Sequence, residues 1–105
     1  MTNFEYHEKD DIAVFEYGDY EEYERSVDIA NFVVDLSETG EFIGLEVIGA
    51  SKKLPLTREE LSEIEDVEIM IQEDEDATMV TIVLKKEGQK TSLNLPVTGL
   101  KTQPA

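Results

Sequence analysis

FVVDLSETGEFIGLEVI, residues 32–48, decides the fold class, because it reads as a complete β-hairpin. Phe32, Val34 and Leu36 alternate with Val33 and Asp35, the period-two pattern of a strand with one face buried. Ser37-Glu38-Thr39-Gly40 is a run of turn formers, and Phe42 to Ile48 is a second apolar run. A four-residue loop at 37–40 sets Leu36 opposite Glu41. The same register sets Val34 opposite Ile43 and Phe32 opposite Leu45 on one face, with Val33 opposite Gly44 and Asn31 opposite Glu46 on the other. Apolar then meets apolar across the strands, which is what specifies a register.

Working outward, Phe4 to Tyr17 reads as two extended segments broken at Glu8–Asp11, with apolar groups on both faces of the second. Gly18 to Arg25 is an acidic, aromatic turn, after which Val27 and Ile29 resume the alternation. A helix is expected at about 57–65. Thr57 and Glu60 have the spacing of a capping box, and Leu56 and Leu61 that of a hydrophobic staple. Pro55 holds Leu54 extended and fixes the start. The last third reads as a three-stranded meander. A loop at 74–77 pairs Val67, Ile69 and Ile71 with Leu84, Ile82 and Val80, and a loop at 86–89 pairs Ile82 and Val80 with Leu93 and Leu95. The expectation is a single α+β domain over 1–97, a small antiparallel sheet with one short helix packed on it. Residues 98–105 are expected to form a flexible tail.

Composition narrows the function classes. The 105 residues carry a net charge of −16 and no cysteine. Thiolate metal sites, disulfides and cysteine nucleophiles are therefore excluded. Residues 1–50 hold 14 acids against Lys9 and Arg25, and residues 51–105 hold 11 acids against 7 bases. Both halves repel phosphate backbones and anionic lipid, so neither nucleic acid nor a membrane is an expected partner. The acidic N-terminus lacks the basic and apolar regions of a signal peptide, and a cytoplasmic location is expected.

No residue set resolves into a catalytic constellation. Gly44 to Gly49 has phosphate-loop spacing, but Ala50 stands where lysine is required. His7, the one histidine, has no neighbouring nucleophile pattern. Asp35 and Glu46 share the outward face of the hairpin. In the register above they lie four residues apart, roughly 13 Å at about 3.3 Å per residue. Tyr6, Tyr17, Tyr20 and Tyr23 cluster near the N-terminus, as amphipathic strand residues or as a protein-binding surface. The densest carboxylate run is Glu73-Asp74-Glu75-Asp76, in which Glu73, Asp74 and Asp76 are candidate ligands for a weakly held calcium ion.

Tyr6 with Asp10–Phe15 (DDIAVF), and Asn31 to Leu54 (NFVVDLSETGEFIGLEVIGASKKL), resemble the domain of unknown function family 2283 (DUF2283) of small prokaryotic proteins. Val34-Asp35, Gly40, Gly44-Leu45-Glu46 and Ala50-Ser51 carry most of the likeness over residues 6–54. The part after Leu54 looks like a β extension of longer archaeal relatives. The resemblance implies a small sheet-based domain and supplies no catalytic residue or cofactor. The expectation from sequence is therefore a non-enzymatic interaction module that associates with a protein partner or with itself as a homodimer. Weak calcium binding at 73–76 is the alternative, and no cofactor is expected.

Overall fold

The computed structural model describes residues 2–29, 32–75 and 78–97. Among these residues, eight strands form two antiparallel sheets. The first contains β1 (Asn3–His7), β2 (Ile12–Glu16), β3 (Tyr23–Ile29), β4 (Phe32–Ser37) and β5 (Phe42–Ile48), in the order β1-β2-β5-β4-β3. The second is the meander β6 (Asp66–Glu73), β7 (Thr78–Lys86) and β8 (Gln89–Pro96). Between them lie two short helices, α1 (Ala50–Lys53) and α2 (Arg58–Ser62), and a 3-10 turn spans Tyr20–Glu22.

This corrects the expected architecture of one sheet covered by one helix at 57–65. The reason is a matter of buried area. The capping box is present, with Thr57 Oγ1 accepting from Glu60 N at 3.1 Å and Glu60 Oε1 accepting from Thr57 N at 2.9 Å. Leu56 is half-buried against the core and Leu61 is buried, as the staple requires. But α2 is five residues long and buries one large side chain, Leu61. Burying such a side chain stabilises by about 1.5–3 kcal/mol. The second sheet brings Ile69, Val80, Ile82, Leu84 and Leu95 to the same cluster as Phe15, Val34, Leu36, Leu45 and Val47 of the first. The sheets therefore cover each other, and the helices fill one end of a sandwich.

The first sheet is a Greek key. From β2 the chain must reach β3 at the far edge, passing the ends of β5 and β4. Tyr17 N and Gly18 N both donate to Ile43 O, at 2.8 and 3.0 Å, and Glu38 N donates to Glu22 O at 3.2 Å. The crossing is thereby tied to the strands beneath it.

At the opposite end, Asp11 adopts φ 56° in the β1–β2 turn and is buried. Its carbonyl accepts from Gly49 N and Ala50 N, each at 2.9 Å. Its carboxylate accepts from Tyr6 Oη at 2.6 Å, Ser51 N at 3.0 Å and Ser51 Oγ at 2.8 Å. Burial raises the carboxyl pKa, but the hydrogen bonds from Tyr6 and Ser51 and the charge of Arg58 outweigh it and leave the group below its usual value. Burial, followed by the bond to Asp11, pushes the Tyr6 phenol up to about 12. This network pins α1 to the β1–β2 turn.

The β4–β5 register also differs from expectation. The chain pairs Leu36 with Phe42, Asp35 with Gly44, Val34 with Leu45 and Val33 with Glu46. Two one-residue shifts account for the change. Ser37 N donates to Glu41 O, so the loop shrinks to 38–40, with Gly40 at φ 82° supplying the left-handed position such a loop requires. A bulge between Phe42 and Gly44 adds the second shift. Two shifts together restore parity from Gly44 onward, so Leu45 and Val47 face the core as expected, while at the bulge Phe42 rather than Ile43 joins it. The β6–β7 and β7–β8 registers match the expected pairs throughout.

Candidate functional site

A cleft of about 370 Å³ opens between the two sheets at the end where β2 leaves the first sheet, lined by Tyr17, Leu36, Gly40, Glu41, Phe42, Ile71, Glu73, Thr78 and Val97. Its volume lies in the range of small-molecule sites. Leu36, Ile71 and Val97 are apolar contributions from both sheets. The Tyr17 and Phe42 rings form an aromatic pair with centroids 6.1 Å apart and planes 47° apart.

Each polar group at the cleft is positioned by local structure. Thr78 is buried at the start of β7, where its carbonyl accepts from Val97 N at 2.8 Å. Glu41 follows the Gly40 turn; its Oε1 accepts from Thr39 Oγ1 at 3.1 Å, and its N–H donates to the buried Ser37 Oγ at 3.2 Å. Glu73 is the last residue of β6 and is exposed. The cleft thus combines an apolar floor, an aromatic pair, a hydroxyl and two carboxylates.

A second polar cluster lies on the outward face of the first sheet. Tyr20 Oη donates to Asp35 Oδ2 at 2.5 Å, and Ser26 Oγ donates to Asp35 Oδ1 at 2.7 Å. Tyr23 Oη and Ser26 Oγ are 2.8 Å apart, and the Tyr20 and Tyr23 rings stack with centroids 6.2 Å apart. Burial, then the bond to Asp35, raises the Tyr20 pKa far above the ordinary phenol range, so the hydroxyl stays a donor. This cluster holds the crossing segment against the sheet.

The sequence-predicted residues fall out as follows. Of the acidic loop, Glu73 joins the cleft. Asp74 Oδ1 accepts from Glu75 N at 2.7 Å, and Asp76 lies outside the described residues. Among the described residues, no group of three or more His, Asp and Glu is placed to hold a metal ion. Asp35 and Glu46 are closer than the 13 Å expected. With Val33 opposite Glu46 and Asp35 opposite Gly44, they are diagonal neighbours, at roughly 7–8 Å between such positions. His7 is exposed on β1, 3.8 Å from Glu5 Oε1. Gly44 lies within β5 and Gly49 precedes α1 with φ 72°, so GLEVIG is a strand and a helix start. The four tyrosines do not form one surface. Tyr6 binds Asp11, Tyr17 lines the cleft, and Tyr20 and Tyr23 stack on the outward face.

Sequence reasoning missed the cleft because its residues come from five separated segments, joined only when the sheets pack. The one local signal was Gly40, whose left-handed turn presents Glu41 and Phe42. No described helix is long and apolar enough to cross a membrane.

No protein-family model matches the chain, and no solved structure matches it. The chain is 25% identical over 104 residues to a protein of Methanosarcina mazei named "Putative hypoxanthine phosphoribosyltransferase", covering 97% of this chain and 84% of that one. This likeness to a protein bearing an enzyme's name corrects the expectation of a non-enzymatic interaction module.

Proposed function

We propose that the protein is an enzyme of nucleobase chemistry and that it takes an oxopurine in the cleft between the sheets. The observation that carries this reading is the composition of the cleft, an aromatic pair beside two carboxylates and a hydroxyl. A purine offers a π-face and N–H donors. Tyr17 and Phe42 meet the first, and Glu41 and Glu73 meet the second. Stacking of a base on an aromatic side chain contributes about 1–3 kcal/mol. The relative named for hypoxanthine phosphoribosyl transfer supports the same ligand class over nearly the whole chain.

In phosphoribosyl transfer a purine ring nitrogen attacks the anomeric carbon of the sugar. The carbon–oxygen bond to pyrophosphate breaks, pyrophosphate leaves with the electron pair, and the nitrogen's proton passes to a base. Glu41 and Glu73 are the proton acceptors at this cleft. The phosphorylated co-substrate meets a chain of net charge −16, so its charge must be offset by a cation that its own phosphates carry in.

The test is a titration with hypoxanthine followed by amide NMR, with uracil as the control base. Saturable shifts centred on Tyr17, Glu41, Phe42 and Thr78, weakened in Glu73→Gln, are expected. Absence of saturable shifts at millimolar hypoxanthine would refute base binding. Base binding without inosine monophosphate formation, when phosphoribosyl pyrophosphate and magnesium are supplied, would retain the ligand and reject the transfer.

A further inference from the structure

We infer that Thr78 is the specificity residue of the cleft: its hydroxyl donates to the 6-oxo group of the base while Glu73 accepts the neighbouring ring N–H. This rests on the reading of the cleft as an oxopurine site. Thr78 begins β7 directly opposite Glu73, the last residue of β6. Opposed residues of an antiparallel pair share a face, with Cβ atoms about 4.5–5.5 Å apart. Here it is the core-facing side, because Ile69 of β6 and Val80 and Ile82 of β7 follow the same alternation into the core. At the end of the sheet that side opens into the cleft, which both residues line. A hydroxyl and a carboxylate therefore stand side by side there.

The Thr78 hydroxyl is held in place and unspent. The residue is 7% exposed, and its carbonyl accepts from Val97 N at 2.8 Å. Among the described residues nothing hydrogen-bonds the hydroxyl, and none of their side-chain polar atoms is both sealed from solvent and unpaired. The oxygen is therefore reached from the cleft. Other donors at the cleft are committed. Gly40 N donates to Ser37 O at 3.0 Å, Glu41 N to Ser37 Oγ at 3.2 Å and Tyr17 N to Ile43 O at 2.8 Å. Tyr17 Oη lies in the plane of its own ring. A base stacked on that ring lies about 3.5–4.0 Å above it, and a carbonyl accepts best in its own plane. The carboxylates of Glu41 and Glu73 accept only, so they repel a ligand carbonyl that Thr78 welcomes. Donor beside acceptor matches a –CO–NH– edge, whose carbonyl and N–H occupy adjacent atoms. The 6-amino edge of adenine sets a ring lone pair where the carboxylate needs a proton. Uracil carries a carbonyl on both sides of its N–H, and the second one meets a carboxylate.

The test crosses two ligands with the protein and its variants, reading Kd from amide NMR titrations. 6-Thiohypoxanthine keeps the ring and its N–H but presents sulfur, a weak acceptor. The wild-type protein should bind hypoxanthine about fivefold more tightly than 6-thiohypoxanthine, the value of one neutral hydrogen bond. Thr78→Val keeps the shape of the side chain without its hydroxyl. It should abolish the preference by weakening hypoxanthine alone, and Thr78→Ser should restore it. Equal affinities in the wild type, equal weakening of both ligands by Thr78→Val, or no recovery in Thr78→Ser overturns the assignment and leaves oxopurine binding standing. Absence of hypoxanthine binding to the wild type removes the reading beneath the assignment, and the assignment with it. The wild-type comparison decides even if the variants fold poorly.

Discussion

A Cβ added to Gly44 would lie 1.6 Å from Tyr20 Oη, 2.7 Å from Tyr20 Cζ and 3.0 Å from Phe15 O. The glycine therefore makes room for a phenol, and through it for the Tyr20–Asp35 bond that fastens the crossing segment to the sheet. Gly44→Ala must push the ring off the sheet. Overpacking of this kind costs about 1–3 kcal/mol, and here it also strips Asp35 of one of its two donors. The cost should depend on the ring. In a Tyr20→Ala background the clash with Oη and Cζ is gone, so chemical denaturation should find most of the Gly44→Ala penalty absent. Contacting residues couple by about 0.5–3 kcal/mol in such cycles. Equal penalties in both backgrounds would mean that Phe15 O, and not Tyr20, excludes the methyl group.

At the level of elements, the β7–β8 connection offers a gain in stability. Lys86 pairs with Gln89, so the turn is the two residues Glu87 and Gly88, with φ of 44° and 80°. Both central residues of such a turn need positive φ, which favours Asn-Gly and penalises a longer side chain at the first position. Glu87→Asn should stabilise the protein by about 0.5–1 kcal/mol, read as a higher urea midpoint with an unchanged slope. The bond from Glu87 N to Glu65 Oε1 is a backbone donation and survives the change. A lowered midpoint would show that the glutamate side chain contributes more than the turn geometry costs. These two hairpins also show how far the sequence could be read. In the meander, alternation and loop length agreed, and every expected pair forms. In the β4–β5 hairpin the same alternation allowed any even shift, and a three-residue loop plus a bulge took one. Period-two patterning fixes which face is buried, and local turn chemistry fixes which residue faces which. The polar residues and the glycine of this part of the chain do more than shape a hairpin. Tyr6 and Ser51 bind the buried Asp11, and Asp35 and Gly44 receive Tyr20. Apart from the Tyr6–Asp11 bond across the β1–β2 turn, these contacts are not local in sequence, and neither is the cleft, so they could not be read before the chain was folded.

For the molecule as a whole, the dominant long-range term is its own charge. The net −16 is held within a radius of gyration of 13.7 Å. The screening length is about 30 Å in 0.01 M salt and about 10 Å in 0.1 M. In dilute buffer every acid therefore feels the others across the folded sandwich, whereas the unfolded chain spreads to roughly twice that radius and relieves the repulsion. Added monovalent salt should stabilise the fold, with most of the gain complete by a few tenths molar. Relief of about 1 kcal/mol corresponds to roughly 4–8 °C in Tm for a domain of this size. The effect should be uneven along the chain, because residues 1–50 carry 14 acids against two bases. The double variant Glu22→Lys with Asp28→Lys, at two exposed positions of the first sheet and its crossing, replaces two negative charges by two positive ones and so shifts the net charge from −16 to about −12. It should raise Tm in 0.01 M salt and flatten the salt dependence. Calorimetry in sodium chloride and in choline chloride gives the same rise if screening is the cause. A rise confined to one cation would instead locate the effect in a bound ion, and a Tm independent of salt would mean that the acids are already compensated where they stand.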